Sequence, residues 1–122
     1  MKLGDIMKHE MKLQHGPFLL IEKGSKTIEL RLNDEKRKKV KVGDKIVFTD
    51  QTTGKKMITE VIALHPYQSF KELYQHFSPN VLGYQEGEVA NPKDMELYYS
   101  LEEQKKYGVL GIEIKKQGSI FE

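Results

Sequence analysis

The chain has 122 residues, enough for one domain whose core removes about two thirds of the unfolded surface from water. A hydrophobic share of 38% is low and a charged share of 31% is high, which points to a small, heavily solvated domain with a modest core. With no cysteine, disulfides, thiolate metal sites and a cysteine nucleophile are excluded, and a net charge of +2 informs on partners only through its distribution.

The opening residues, Met1-Lys2-Leu3-Gly4-Asp5, contain no apolar run of signal-peptide length. No stretch nears the roughly 20 apolar residues of a membrane span. The expectation is a cytoplasmic protein with no membrane contact. Met7, His9, Met11 and Leu13 alternate with Lys8, Glu10, Lys12 and Gln14, the period of a half-buried strand. Gly16-Pro17 opens a short helix, with Pro17 favoured at its first position, and Phe18 and Ile21 share one face. Gly24 stops that helix, because glycine tolerates the positive φ a tight reversal needs. A second strand comes next, with Ile28, Leu30 and Leu32 on one side and Thr27, Glu29 and Arg31 on the other. Its carboxylate and guanidinium stand roughly 6.6 Å apart along the strand. Strict alternation puts Lys26 on the apolar side, so it joins them only if the turn at Gly24 reorients it.

Residues 33 to 45 are polar and turn-rich, and Gly43-Asp44 lead into a strand over Lys45 to Thr49 with Ile46 and Phe48 on one face. Thr52-Thr53-Gly54-Lys55 reads as a hairpin connection to a long return strand, Lys56 to about Leu64, which Pro66 ends. Ser69-x-x-Glu72 is a capping box, and Phe70, Leu73, Tyr74 and Phe77 follow at helical spacing as an amphipathic helix. Residues 83 to 92, with two glycines and a proline, read as a mobile loop. Asn91-Pro92 begins another helix carrying Met95 and Tyr98 or Tyr99, and a second capping box, Ser100-x-x-Glu103, relays it to Tyr107. Gly108 stops it, Val109 to Ile114 forms the last strand, and the tail from Lys116 is expected to fray. The order β-α-β-β-β-α-α-β gives an α+β domain whose five strands suggest a barrel or a strongly curved sheet.

Gly24-x-Lys26-x-x-Glu29-x-Arg31 resembles, at all four positions, the G-x-K-x-x-E-x-R signature of the ASCH (activating signal cointegrator homology) domain. The context agrees. An apolar helix precedes the motif, Val42-Gly43-Asp44-x-Ile46-x-Phe48 comes after it, and the chain closes on Tyr107-Gly108-Val109-Leu110-Gly111-Ile112. The likeness covers roughly residues 8 to 116, so residues 1–122 are expected to form a single ASCH domain. That family is similar to PUA domains, small β-barrels associated with RNA. The resemblance implies a PUA-like barrel of about five to six strands with helices outside, and a positively lined cleft that binds RNA or a nucleotide.

Lys26 and Arg31 supply donors for a phosphate or a base carbonyl, bidentately in the case of arginine, while Glu29 can accept from an exocyclic amine or hold Arg31 in place. The bland alternative is a surface salt bridge worth at most ~1 kcal/mol. Lys36, Arg37, Lys38, Lys39, Lys41 and Lys45 form either a solvated connection or an edge that tracks a nucleic-acid backbone. Tyr74 reads as core. Tyr98 and Tyr99 are adjacent, so at most one faces inward and the other is free to stack a base, worth about 1–3 kcal/mol. In the subgroup the chain most resembles, Met95-x-x-Tyr98-Tyr99-Ser100-x-x-x-Gln104 borders the cleft, which adds Tyr98, Tyr99 and Gln104, with Thr27, to the expected ligand set. His9, His15, His65 and His76 lack metal-ligand spacing, so no metal or other cofactor is expected. No G-x-S-x-G or P-loop occurs.

Some small ASCH-type proteins are amidohydrolases that remove the acetyl group from N4-acetylcytidine. Their signature is similar but places a threonine three residues after the lysine, where this chain has Glu29; Thr27 directly follows the lysine instead. They also use a later glutamate, for which Glu86, Glu88 and Glu103 are candidates, none aligning unambiguously. A lysine acting as base must be neutral, which a nearby carboxylate opposes. The expectation is therefore a module that binds RNA or a nucleoside or nucleotide ligand. The alternatives are an amidohydrolase or metal-free ribonuclease with Lys26 and Glu29 as catalytic residues, or a protein-interaction module.

Overall fold

The computed structural model describes residues 5–120. Five strands, β1 (Lys8–Leu13), β2 (Ile28–Leu32), β3 (Lys45–Asp50), β4 (Lys56–Tyr67) and β5 (Val109–Ile120), form one sheet in the order β1-β3-β4-β5-β2. Only the β1–β3 pair is parallel. The helices are α1 (His15–Lys23), α2 (Phe70–Leu73) and α3 (Leu101–Tyr107), with 3-10 turns at Arg37–Lys39, Pro79–Leu82 and Pro92–Leu97. The result is an α+β small barrel: a curled half-barrel sheet with helices packed alongside.

The curl has a local cause. The long β4–β5 ladder carries register shifts between Ile58 and Thr59 and between Val61 and Ala63, and such bulges bend a strand and raise its twist. Apolar residues then fill both faces. One core gathers Met11, Phe18, Ile46, Phe48, Met57 and Ile112; the other packs Ile28, Leu30 and Leu32 against Phe70, Leu73 and Val109. Gly111 permits the second packing, since a Cβ there would lie 3.1 Å from Ile28 Cγ2 and 3.3 Å from Leu73 Cδ1.

Several boundaries differ from the sequence reading. Strand β4 does not end at Pro66 but runs to Tyr67, with Pro66 paired to Leu110. Partner β3 reaches only Glu60, so this half of β4 has a single neighbour and a residue without an N–H is tolerated. The tail from Lys116 is not frayed within the described residues: β5 continues to Ile120 because the start of β4 pairs with it. Helix α1 starts at His15, ahead of Gly16-Pro17. The expected helix through Phe77 closes at Leu73, where the Gln75 and His76 amides bond three residues back to Glu72 and Leu73. That tightening brings the Phe77 ring edge-on to His65 at 4.9 Å. The Asn91-Pro92 helix is a 3-10 turn capped by the Asn91 side chain. The second capping box is reciprocal, as expected. No described helix is long and apolar enough to cross a membrane.

Candidate functional site

Strands β1 and β2 are the two edges of the curled sheet, and the site lies at the seam between them. Gly24 ends α1 at φ 94°, and the Ser25 and Lys26 amides both fold back to the Leu20 carbonyl at 3.1 Å. Pairing of β2 with β5 starts only at Ile28. Lys26 thus precedes the strand and escapes its alternation. Glu29 and Arg31 pair with Ile112 and Leu110, and directly opposed residues share a face, so both point into the curl beside the apolar core.

The three side chains converge. Lys26 Nζ lies 3.3 Å from Glu29 Oε1, and Arg31 Nε donates to Glu29 Oε2 at 2.7 Å. Lys26 Nζ also donates to the Leu82 carbonyl at 3.2 Å. Arg31 Nη2 crosses the seam and donates to the Lys12 carbonyl of β1 at 2.8 Å, joining two edges that share no ladder. Lys26 and Glu29 are 8% and 5% exposed, so this is no surface salt bridge. Burial by itself raises the Glu29 pKa, but the Lys26 and Arg31 charges and their hydrogen bonds outweigh it and hold the carboxyl below its usual range. With the Tyr99 hydroxyl also bonded to Arg31, these contacts leave one ammonium N–H and two guanidinium N–H groups for a ligand.

Above the cluster is a cleft of about 390 Å³. Lys12, Gln14 and Gln51 border it on one side, and Tyr74, Tyr84, Asp94, Met95, Leu97, Tyr98 and Tyr99 on the other. The Tyr84 hydroxyl donates to Asp94 Oδ2 at 2.7 Å and meets the Tyr74 hydroxyl at 3.0 Å, which ties the 83–92 loop to the wall. Burial pushes both phenols up, helped by Tyr84 at Tyr74 and by Asp94 at Tyr84, where the bond with Tyr74 opposes it only in part, so both stay neutral. Tyr99 is the inward member of the tyrosine pair. It stacks on Phe70 at 5.9 Å and 24°, its hydroxyl beside Arg31, while Tyr98 is 55% exposed at the mouth.

Two expected ligand residues lie elsewhere. Thr27 does not line the cleft; its backbone is used between the Val81 carbonyl and the Ile114 amide. Gln104, 3% exposed, is a structural clasp that accepts from the Phe70 amide at 3.1 Å and donates to the Tyr99 carbonyl at 3.2 Å. The basic run does not line the cleft either. Arg37 is held by Asp34 at 2.9 Å, Lys36 donates to the Glu10 carbonyl, and Lys38 and Lys39 are exposed. Glu86, Glu88 and Glu103 stand outside it too, Glu103 serving the α3 cap. Sequence reasoning missed Lys12, Gln14, Gln51 and Asp94. The first two were visible as the polar half of the β1 alternation, whereas nothing local ties Asp94 to Tyr84. Among the described residues, no three His, Asp or Glu converge as metal ligands.

A curled five-stranded sheet, stapled at its seam by an arginine and bearing a cleft lined by Lys26 and Arg31 there, defines a small-barrel domain with a candidate site between its edge strands. The chain belongs to the ASCH domain family, whose profile matches residues 11–117. The crystal structure of a hypothetical protein, PH0355, is similar at 35% identity and TM-score 0.78, covering 91% of this chain and 100% of that one. The solution NMR structure of protein PF0455 from Pyrococcus furiosus is similar at 35% identity and TM-score 0.65, covering 90% and 97%. No curated protein matches the sequence.

Proposed function

We propose that this ASCH domain binds RNA or a nucleotide-like ligand in the seam cleft. The observation that carries this reading is the convergence of Lys26, Glu29 and Arg31 on one aromatic-walled concavity. Its volume of about 390 Å³ falls at the small end of the roughly 300–1,000 Å³ of ligand pockets, the scale of one base with its sugar rather than a helix. The unused N–H groups of Lys26 and Arg31 suit a carbonyl or phosphate oxygen, Asp94 suits an amine, and exposed Tyr98 suits stacking. Membership of the ASCH family supports a nucleic-acid kind of partner. Catalysis has less support. Lys26 is committed to Glu29 at 3.3 Å and to the Leu82 carbonyl at 3.2 Å, and Glu29 itself, held below its usual range, is a weak proton acceptor.

The test is fluorescence anisotropy with a labelled short single-stranded RNA and with nucleoside monophosphates, for wild type, Arg31→Ala and Arg37→Ala. Hydrogen bonds to charged groups are worth about 1.5–3 kcal/mol, so Arg31→Ala is expected to weaken binding roughly tenfold or more. Arg37, already committed to Asp34, is expected to cost less than about threefold. Equal losses would remove Arg31 from the site. If the exposed Lys36, Lys38, Lys39 and Lys41 follow the strand, the log–log salt slope is roughly −3; a slope near zero leaves that run as plain surface.

A further inference from the structure

A second concavity, of about 570 Å³, adjoins the seam cleft and shares no lining residue with it. The wall between them is thin. Tyr99 lines the cleft, and the Gln104 side chain that donates to the Tyr99 carbonyl at 3.2 Å lines the second concavity. The β2 edge also joins the two. Arg31 borders the first and Asn33 the second, two residues on and roughly 6.6 Å along an extended chain. The Asn33 amide still pairs with the Gly108 carbonyl at 3.0 Å, so this advance is held by the sheet.

The chemistry of this lining selects an anion. Lys105 and Lys106 are exposed and form no ion pair among the described residues; the Lys106 ammonium stands 5.1 Å from the centre of the Tyr107 ring. The Asn33 and Gln68 carboxamides, which also line it, make no hydrogen bond among the described residues. No carboxylate is among the described residues that line it. Asp34, next to Asn33, is taken by Arg37, and Glu103 by the α3 cap, while Glu102 stands exposed outside the lining. Lysines in the last turn of a helix are ordinary by themselves, because they complement its carbonyl end. Here they border a concavity that also presents two free amides and Tyr67, whose ring is fixed by stacking on His76 at 4.9 Å and 20°. Ammoniums suit a phosphate, carboxamides suit a base edge, and an aromatic ring suits a base.

We infer that this concavity is a second nucleotide subsite: a single RNA strand with one nucleotide in the seam cleft places a neighbouring phosphate at Lys105 and Lys106 and that nucleotide's base against Asn33, Gln68 and Tyr67. The inference rests on the nucleic-acid reading of the seam and gives the bound strand a course, from the β2 edge toward the end of α3. The seam cleft has the scale of one base with its sugar, so a mononucleotide fills it without reaching the second subsite.

The test is anisotropy on the full chain with two labelled probes, uridine monophosphate and a single-stranded oligouridylate of about six nucleotides, each across a range of salt. Wild type is expected to bind the oligomer at least about tenfold more tightly than the monophosphate. Lys105→Ala/Lys106→Ala is expected to weaken the oligomer roughly tenfold, to flatten its log–log salt slope by about 1.4, and to leave the monophosphate within about twofold. Lys115→Ala/Lys116→Ala removes the same charge from β5, outside both linings, and is expected to cost the oligomer less than about threefold. On unaltered protein, NMR should show the Asn33 and Gln68 side-chain amide signals moving with the oligomer and not with the monophosphate. An oligomer no tighter than the monophosphate, equal losses in the two lysine pairs, or unmoved amide signals overturns the second subsite. So does oligoglutamate that moves those amides as strongly as RNA, which would make the concavity a plain anion patch. Arg31→Ala separates the two readings. If it abolishes monophosphate binding while Lys105→Ala/Lys106→Ala leaves the oligomer unchanged, only the second subsite falls. If it leaves monophosphate binding unchanged, the seam reading falls and the second subsite with it.

Discussion

Replacing Glu29 with glutamine keeps the shape of the seam cluster and removes its one negative charge. The structure gives the expected cost. Glu29 is 5% exposed, both of its oxygens are taken by cations, and those cations are themselves mostly buried, with side chains 8% and 12% exposed. Removing one partner from a buried charge set typically costs about 3–5 kcal/mol, because the remaining charges are stranded. Here two like charges would face each other across an amide that offers one of them a donor rather than an acceptor. For a domain of this size each kcal/mol is worth about 4 °C, so the melting temperature should fall by roughly 12–20 °C. Adding Lys26→Met to Glu29→Gln removes one stranded charge and should return at least about 2 kcal/mol of that loss, since apolar replacement of buried ions is often neutral or better. Circular dichroism melts and urea titrations of the three proteins measure both effects. Glu29→Gln within about 1 kcal/mol of wild type would mean that water screens the cluster, and the argument from burial would be wrong. Ligand affinity should stay low in the double variant, separating a cluster kept for binding from one kept for stability.

The pH dependence has the same physical origin. Asp44 is 3% exposed and bonded by His9 Nε2 at 2.8 Å and by the Lys41 and Met7 amides. Burial raises its pKa, but these partners overcome that and depress it, as Lys26 and Arg31 do for Glu29. A depressed carboxyl stabilises the fold fully above its unfolded pKa, near 3.8 for Asp44 and 4.5 for Glu29, and loses that contribution as pH falls through the folded value. Urea midpoints between pH 6 and pH 3 should therefore drop more steeply in wild type than in Asp44→Asn. Gly83→Ala puts a Cβ 3.0 Å from Lys26 Cδ at φ +109°, so a loss of about 1–3 kcal/mol and weaker ligand binding through a displaced Lys26 are expected from melts and titration. Gln104→Ala leaves the buried Phe70 amide unpaired and should cost about 1–3 kcal/mol in urea titration. A large loss of affinity at undiminished stability would instead put Gln104 in contact with ligand.

What the sequence made legible is whatever depends on near neighbours. The β1 alternation, the Gly24 stop, the Ser100–Glu103 cap and the shared side of Glu29 and Arg31 all come from spacing along one element. The position of Lys26 was legible only as a condition on the turn, because it depends on the Leu20 carbonyl collecting the amides of residues 24 to 26. Gln104 was expected at the cleft from the family resemblance alone, because spacing along α3 does not say which neighbour it meets. Its burial under α2 is a tertiary fact. The seam was not legible at all. It needs the β4–β5 bulges to curl the sheet until two unpaired edges face each other, a non-local event with no local pattern.

That seam also constrains how any ligand binds. Arg31 is both the staple to the Lys12 carbonyl and a donor lining the cleft. A ligand that drew the guanidinium off Lys12 would gain one hydrogen bond and give up the contact that joins β1 to β2. One that uses the remaining Nη N–H groups keeps the staple and adds to it. In either case the rise in melting temperature follows the measured dissociation constant, which already contains the cost of the lost staple. The second kind is therefore expected to bind the more tightly, by about the 1.5–3 kcal/mol of one charged hydrogen bond.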